Sequence, residues 1–245
     1  VSSNASHHPA KDLRFFLTVP HACSYLPGRE ATTLFLDPEE TPAAGVYDAL
    51  TLQGFRRSGR HLYRPHCENC SACRSARIPV EDFHPGRTQR KILRRNADIQ
   101  TRLLSARWVP QHYALYAAYI RARHADGEMY PPSREQYQTF LTLDQPYAQL
   151  LEMTLDERLV GVAVFDQLDH GLSAIYTFFD VDPQLDRRSL GTFAILKLVE
   201  LAQQRGLPHV YLGYWIEQCR KMRYKKAFSP LEVLDGRRWR RLISP

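Results

Sequence analysis

Cys67, Cys70 and Cys73 recur at every third position. Thiolates so spaced can wrap one metal ion or cluster, and zinc and iron–sulfur both accept such a set. The bacterial ferredoxin run adds a fourth cysteine followed by proline; the corresponding position here is Arg77. Cys23 and His66 are the candidates for a further ligand. Reduced, buried cysteines that hold nothing are the alternative. Cys219 lies far along the chain and is read as a helix residue. A second group is Asp186-Arg187-Arg188-Ser189-Leu190-Gly191-Thr192. Arg187 and Arg188 can pair with phosphates. Ser189 is a candidate helix N-cap, Gly191 would let a ligand approach the backbone, and Thr192 shares the same turn. In the third group, Tyr211 to Phe228, aromatic rings alternate with basic side chains. Unpaired bases stack on rings while cations hold phosphates, so Trp215, Lys221 and Lys225 are candidate nucleic-acid contacts. Core packing of Tyr211 and Trp215 is the competing reading.

These groups need elements to hold them. Leu13 to Val19 and Thr32 to Leu36 read as strands, rich in Phe, Leu, Thr and Val. Pro42 to Phe55 has helical spacing and stops near Gly54. Leu62 to Arg64 is extended before Pro65, and Arg77 to Val80 resumes strand character after the cysteines. Thr88 to Asn96 is a basic helix. Gln111 to Asp126 carries apolar and aromatic residues at helical spacing. Ser133 opens a helix to Leu141, with Gln136 in capping-box position. Tyr147 to Leu155, Arg158 to Leu168 and Gly171 to Val181 are three strands whose short connections predict antiparallel hairpins. A helix from Ser189 to Arg205, a strand from His209 to Tyr214, a short helix from Cys219 to Ala227 and a strand from Leu231 to Leu234 follow.

That order predicts an α+β chain: a small cysteine-containing N-terminal region, then an acetyltransferase-like (GNAT) mixed sheet with flanking helices. The expected domains are 1–105 and 106–245, with a soft boundary near Arg102 to Pro110. In a GNAT sheet two neighbouring strands splay and expose backbone groups to an acyl donor. Residues 186–192 would then face its phosphates.

The chain has 245 residues, 44% of them hydrophobic, which is globular composition. No apolar run has the ~20 residues of a membrane helix. The polar stretch from Val1 to Lys11 lacks the layout of a signal peptide, so a cytoplasmic protein without a membrane partner is expected. Five cysteines do not make a disulfide scaffold at this length. The net charge of +7 is clustered at Arg87 to Arg95, Arg220 to Lys226 and Arg237 to Arg241. That is the electrostatic footprint of a polyanion.

Several motifs together resemble the bacterial aspartate/glutamate leucyltransferases, relatives of the eukaryotic arginyl-tRNA–protein transferases. They are Cys23-Ser24-Tyr25-Leu26-Pro27-Gly28-Arg29, Tyr63-Arg64-Pro65-His66-Cys67 with Cys70 and Cys73, Asp126-Gly127-Glu128-Met129, Ser189-Leu190-Gly191-Thr192 and Tyr211-Leu212-Gly213-Tyr214-Trp215-Ile216. Lys221-Met222 with Tyr224-Lys225, and Pro230-Leu231-Glu232, complete the set. The resemblance spans nearly the whole chain. It implies transfer of leucine from leucyl-tRNA to proteins beginning with Asp or Glu, marking them for N-end-rule degradation. Aminoacyl-tRNA would be the co-substrate, with no nucleotide cofactor. It also favours Cys23 joining Cys67, Cys70 and Cys73 around zinc or an iron–sulfur cluster. Glu217, Tyr176 and Tyr214 are catalytic candidates by location. Arginyl transfer stays open, because Asp126, Glu128 and Glu217 offer acids for an arginine pocket. So do an acyl-CoA-dependent N-acyltransferase and a non-enzymatic metal-containing tRNA-binding module.

Overall fold

The computed structural model describes residues 13–40 and 45–242. The polar stretch Val1 to Lys11 and the expected helix start at Pro42 lie outside them.

The chain begins with β1 (Phe15–Leu17), β2 (His21–Ala22), β3 (Glu30–Ala31) and β4 (Thr33–Leu36). α1 (Val46–Leu52), β5 (Arg56–Ser58) and β6 (His61–Pro65) follow. Four of these strands form an antiparallel sheet in the order β1-β4-β6-β5. β2 and β3 make a separate two-stranded ribbon. The cysteine segment then leads straight into β7 (Arg74–Pro79). Next come α2 (Arg87–Arg95), β8 (Gln100–Ser105), α3 (Pro110–Arg123) and α4 (Arg134–Leu141). The second half holds β9 (Ala148–Leu155), β10 (Arg158–Leu168), β11 (Gly171–Phe179), α5 (Leu190–Gln204), β12 (His209–Trp215), β13 (Glu232–Asp235) and β14 (Arg238–Arg241). Two 3₁₀ segments, Pro183–Arg188 and Arg220–Ala227, flank α5 and β12.

A mixed sheet of eight strands, ordered β14-β13-β7-β12-β11-β10-β9-β8, organises the molecule. β9, β10 and β11 form the expected antiparallel meander. The first hairpin turns on Asp156 and Glu157, both at positive φ, as a two-residue turn with the twist of the strands requires. After β11 the chain crosses through α5 and returns as β12, parallel to β11. α5 lays Phe193, Leu196, Val199 and Ala202 on one face of the sheet, in a core shared with Ile78, Phe165, Leu172 and Val210. α3 and α4 cover the other face around Tyr116, Ile120, Tyr137, Val162 and Phe178.

Two strands from before residue 106 belong to this same sheet. β7 pairs with both β12 and β13, and β8 pairs with β9. The sheet therefore does not divide at residue 105. Its strands meet across long separations in sequence, which local periodicity cannot register. The small sheet is tied on by a buried ion pair. Arg57 donates to Asp166 from Nε (2.6 Å) and Nη2 (2.8 Å), and the Tyr47 hydroxyl donates to the same carboxylate at 2.7 Å.

Candidate active site

Along a strand, successive side chains point to opposite faces. Arg57 takes one direction, to Asp166; Arg56 takes the other, into the line where β11 and β12 part. Those two strands pair only at Leu172–Val210 and Ser173–Tyr211. Both are bulged just beyond that point. A register shift opposite Val164 and Phe165 leaves Ile175 unpaired on β11. A second shift, between Tyr211 and Gly213, bulges β12 at Leu212. A bulge bends its strand and sharpens the local twist. Gly213 stands at φ 78 beside the Arg56 guanidinium, a backbone setting that strains any residue with a Cβ.

The splay expected of an acetyltransferase-like sheet is therefore present, and buried cations border it. Arg56, 6% exposed, donates from Nη2 to the Ala174 carbonyl at 2.5 Å. Its Nη1 is buried and has no hydrogen-bond partner among the described residues. Lys225, also 6% exposed, donates from Nζ to the Tyr214 carbonyl. Each separating strand thus has one carbonyl taken by a buried cation. Burial, and then the charge of Arg56, pushes the Lys225 ammonium down to about 7. Tyr224, 49% exposed, holds its ring 5.8 Å from Lys225 Nζ.

The catalytic candidates fall in different settings. The Tyr214 hydroxyl donates to the carbonyls of Gly54 (2.9 Å) and Tyr63 (3.2 Å), and burial holds its phenol well above the ordinary value. The Tyr176 phenol is buried without a partner among the described residues. Burial, with Tyr119 and Tyr116 nearby, raises it strongly. Both phenols stay protonated near neutrality, so neither serves as a base; the Tyr214 proton is taken by the two carbonyls, which leaves the Tyr176 hydroxyl as the available donor. Glu217 is exposed and pairs with Lys226 at 3.4 Å.

Several expected substrate contacts change character. Trp215 is 1% exposed, with Arg74 4.6 Å and Lys226 5.2 Å from its ring. Its ring is core and offers no face to a base. Lys221 is exposed; Lys225, four residues on, is buried. Arg188 grips Asp98 with both ends of its guanidinium (2.7 and 2.9 Å), leaving exposed Arg187 as the arginine available to phosphate. Ser189 occupies the N-cap position, but its left-handed backbone (φ 52) leaves the cap without a side-chain hydrogen bond. Gly191 serves packing: a Cβ there would lie 3.3 Å from the Phe179 ring. Thr192 follows in the first turn of α5, half-buried.

Around the splay's cysteine side, Cys67, Cys70, Cys73, Tyr214 and Glu217 help line an open cleft of about 450 Å³. All five cysteines are free. Burial, then Cys23, Cys67, Cys70 and Cys219, pushes the Cys73 thiol up to about 12. The tertiary structure thus brings Cys219 within electrostatic range of Cys73, where its distance in sequence set it apart. The Leu26 N–H donates to Cys23 Sγ and Arg29 donates to Cys70 Sγ, each at 3.4 Å. An all-sulfur donor set with N–H groups aimed at sulfur fits a thiolate-bound group in chemistry. The sulfurs are not converged: no three metal-ligating side chains among the described residues form a coordination site.

Comparison with known proteins follows the same geography. A family model for the arginine-tRNA-protein transferase N terminus matches residues 21–91, and one for its C terminus matches 111–235. The chain belongs to the arginine-tRNA-protein transferase family. The aspartate/glutamate leucyltransferase of Chromohalobacter salexigens is 69% identical over 99% of this chain and 98% of its own length. Those of Marinobacter nauticus (95% of this chain, 97% of its own) and Pseudomonas fluorescens strain Pf0-1 (93% and 96%) are each 54% identical. Among solved structures, the C-terminal domain of a putative lysylphosphatidylglycerol synthetase from Agrobacterium fabrum covers 59% of this chain and 47% of its own. Its TM-score is 0.44 at 14% identity, too distant to carry any argument.

The splay, α5 and the basic 3₁₀ segment of this family member follow from sequence patterning. Arg56 does not. No element is expected from sequence at Arg56-Arg57-Ser58, and only the docking of the small sheet shows that both arginines are buried.

Proposed function

We propose that this chain transfers leucine from leucyl-tRNA to the N-terminal amine of proteins beginning with Asp or Glu. Its 69% identity to a leucyltransferase over essentially the whole chain is the observation that carries the reading. The amine nitrogen attacks the leucyl ester carbonyl. A C–N bond forms, the C–O bond to the terminal ribose breaks, and the amine proton ends on the released hydroxyl oxygen or in water. The ester is already activated, so positioning supplies much of the rate. An α-amine of pKa ~7.7–8.0 needs little help to lose its proton near neutrality. Arg187, Lys221 and the exposed basic segments suit the tRNA phosphates, and the backbone of the splay suits the reacting carbonyl.

Leucine rather than arginine is favoured by where the acids lie. Asp126, Glu128 and Glu217 are exposed. The buried carboxylates Asp37, Glu152 and Asp166 are each engaged by an arginine of the protein. No helix among the described residues is long and apolar enough to cross a membrane. We read the reaction as cytoplasmic, where charged tRNA is found, and as feeding N-end-rule degradation.

Cys23, Cys67, Cys70 and Cys73 would hold a zinc ion or iron–sulfur cluster, with Cys219 close by. Bound there, the group would fasten the ribbon of β2 and β3 to the start of β7. Metal analysis and the visible spectrum of Cys70→Ser should then show less metal or cluster than wild type; identical content would remove this site.

The deciding assay mixes the protein with tRNA charged with labelled leucine or arginine and peptides beginning with Asp, Glu or Ala. Leucine on the Asp and Glu peptides alone is expected. Arginine transfer would overturn the donor, and no transfer at all would overturn the reading.

A further inference from the structure

Arg56 and Lys225 come from distant parts of the chain, yet they meet at β12: the Arg56 guanidinium lies 3.6 Å from where a Gly213 Cβ would stand, and Lys225 donates to the carbonyl of the next residue, Tyr214. Burying a single unpaired charge is costly, and two like charges side by side cost more. Neither has an acidic partner among the described residues, where the side-chain hydrogen bonds of Arg56 and Lys225 go to carbonyls. The carboxylates nearest to Lys225 in sequence, Glu232 and Glu217, go to Arg77 and Lys226 instead. The groups that act on Lys225 are Arg56 from β5 and Cys219 from the segment before it, with the Tyr224 ring alongside; none is a carboxylate. Arg56 Nη1, buried and unpartnered, is a donor held ready at the point where β11 and β12 part. Such a pair is completed by an anion small enough to enter between two strands.

We propose that Arg56 and Lys225 form the carboxylate site for the acceptor, receiving the acidic side chain of its N-terminal residue at the splay of β11 and β12. This rests on the transferase reading above. A carboxylate can accept from Arg56 Nη1 and Lys225 Nζ together. The amide of Asn or Gln brings no charge to relieve the pair, and so is rejected. An internal RNA phosphate carries a ribose on either side, whereas a side chain on a chain terminus enters end first.

The test is steady-state transfer from leucyl-tRNA to peptides beginning with Asp or Glu, using wild type, Arg56→Gln, Lys225→Met and Lys225→Arg. Arg56→Gln and Lys225→Met should each raise the peptide KM by about tenfold or more, the loss expected of a charge-assisted hydrogen bond. The kcat at saturating peptide and the KM for leucyl-tRNA should stay close to wild type. Lys225→Arg should recover much of the affinity. Lys225→Met removes a buried charge, so it decides the matter if Arg56→Gln does not fold. A fall in kcat at unchanged peptide KM would overturn the proposal in favour of a role at the reacting carbonyl. A rise in the leucyl-tRNA KM alone would overturn it in favour of phosphate binding. Calorimetric binding of Asp and Asn peptides without tRNA keeps the two questions apart. Wild type that transfers leucine but does not prefer the Asp peptide, with neither variant altering binding, sinks the carboxylate site and spares the transferase.

Discussion

At the scale of single residues, the splay concentrates groups whose ordinary protonation is disturbed by burial. Lys225 is the one whose change falls near working pH. Its folded pKa of about 7 lies below the ordinary 10.5, so the unfolded chain binds more protons between those values. Stability in that window rises with pH, and the penalty for burying the charge is fully present below about 7. Lys225→Met should therefore raise the thermal midpoint relative to wild type at about pH 6, with the gain shrinking by about pH 9.5. A constant difference between the two melting curves at all pH would show that Lys225 is not held in a depressed state. Tyr214 and Tyr176 titrate far above this range and leave the profile alone.

Elements decide which of the basic residues are free to meet a polyanion. The 3₁₀ segment Pro183–Arg188 turns Arg188 back to Asp98 and the Arg95 carbonyl, fastening the end of α2 to the start of α5. Arg187 pairs with no acid among the described residues. Arg187→Ala should weaken tRNA binding and lower the slope of log K against log salt by about 1. Arg188→Ala should leave that slope in place and cost about 0.2–1 kcal/mol of stability, as a partly exposed ion pair does. Filter binding over a salt series, with melts of both variants, separates these outcomes. Equal salt slopes for Arg187→Ala and wild type would take the α5 entrance off the tRNA path. The element lengths themselves follow local chemistry closely: α2 is the expected basic helix, and α5 starts one residue after Ser189. α3 ends at Arg123 rather than Asp126, because the chain turns at Ala125–Gly127.

For the whole molecule, the join between the two sheets matters most. The Arg57–Asp166 pair with Tyr47 is fully buried, and the same three-residue strand carries Arg56 to the splay. Removing one partner of a buried pair strands the other charge, at about 3–5 kcal/mol. Asp166→Asn should accordingly lower stability by that order in denaturant unfolding. At subdenaturing denaturant it should lower acceptor binding before tRNA binding, since β5 loosens while the basic 3₁₀ segments remain. A variant as stable as wild type would mean that packing around Tyr47 and Phe55, rather than the ion pair, holds the small sheet in place.

Much of this protein is legible without its fold. The three-strand meander, the long helix and the returning strand show in periodicity and turn chemistry, because hairpins and amphipathic helices are set by neighbours in sequence. The cysteine spacing and the basic clusters are likewise local. Tertiary structure alone decided the rest. It placed β7 and β8 within the large sheet, brought Cys219 within electrostatic range of Cys73, sank Trp215 and Lys225 into the interior, and sent Arg56 into the gap between two bulged strands. Each of these depends on contacts between residues far apart in the chain. Burial and charge pairing are properties of those contacts, and no spacing along the sequence encodes them.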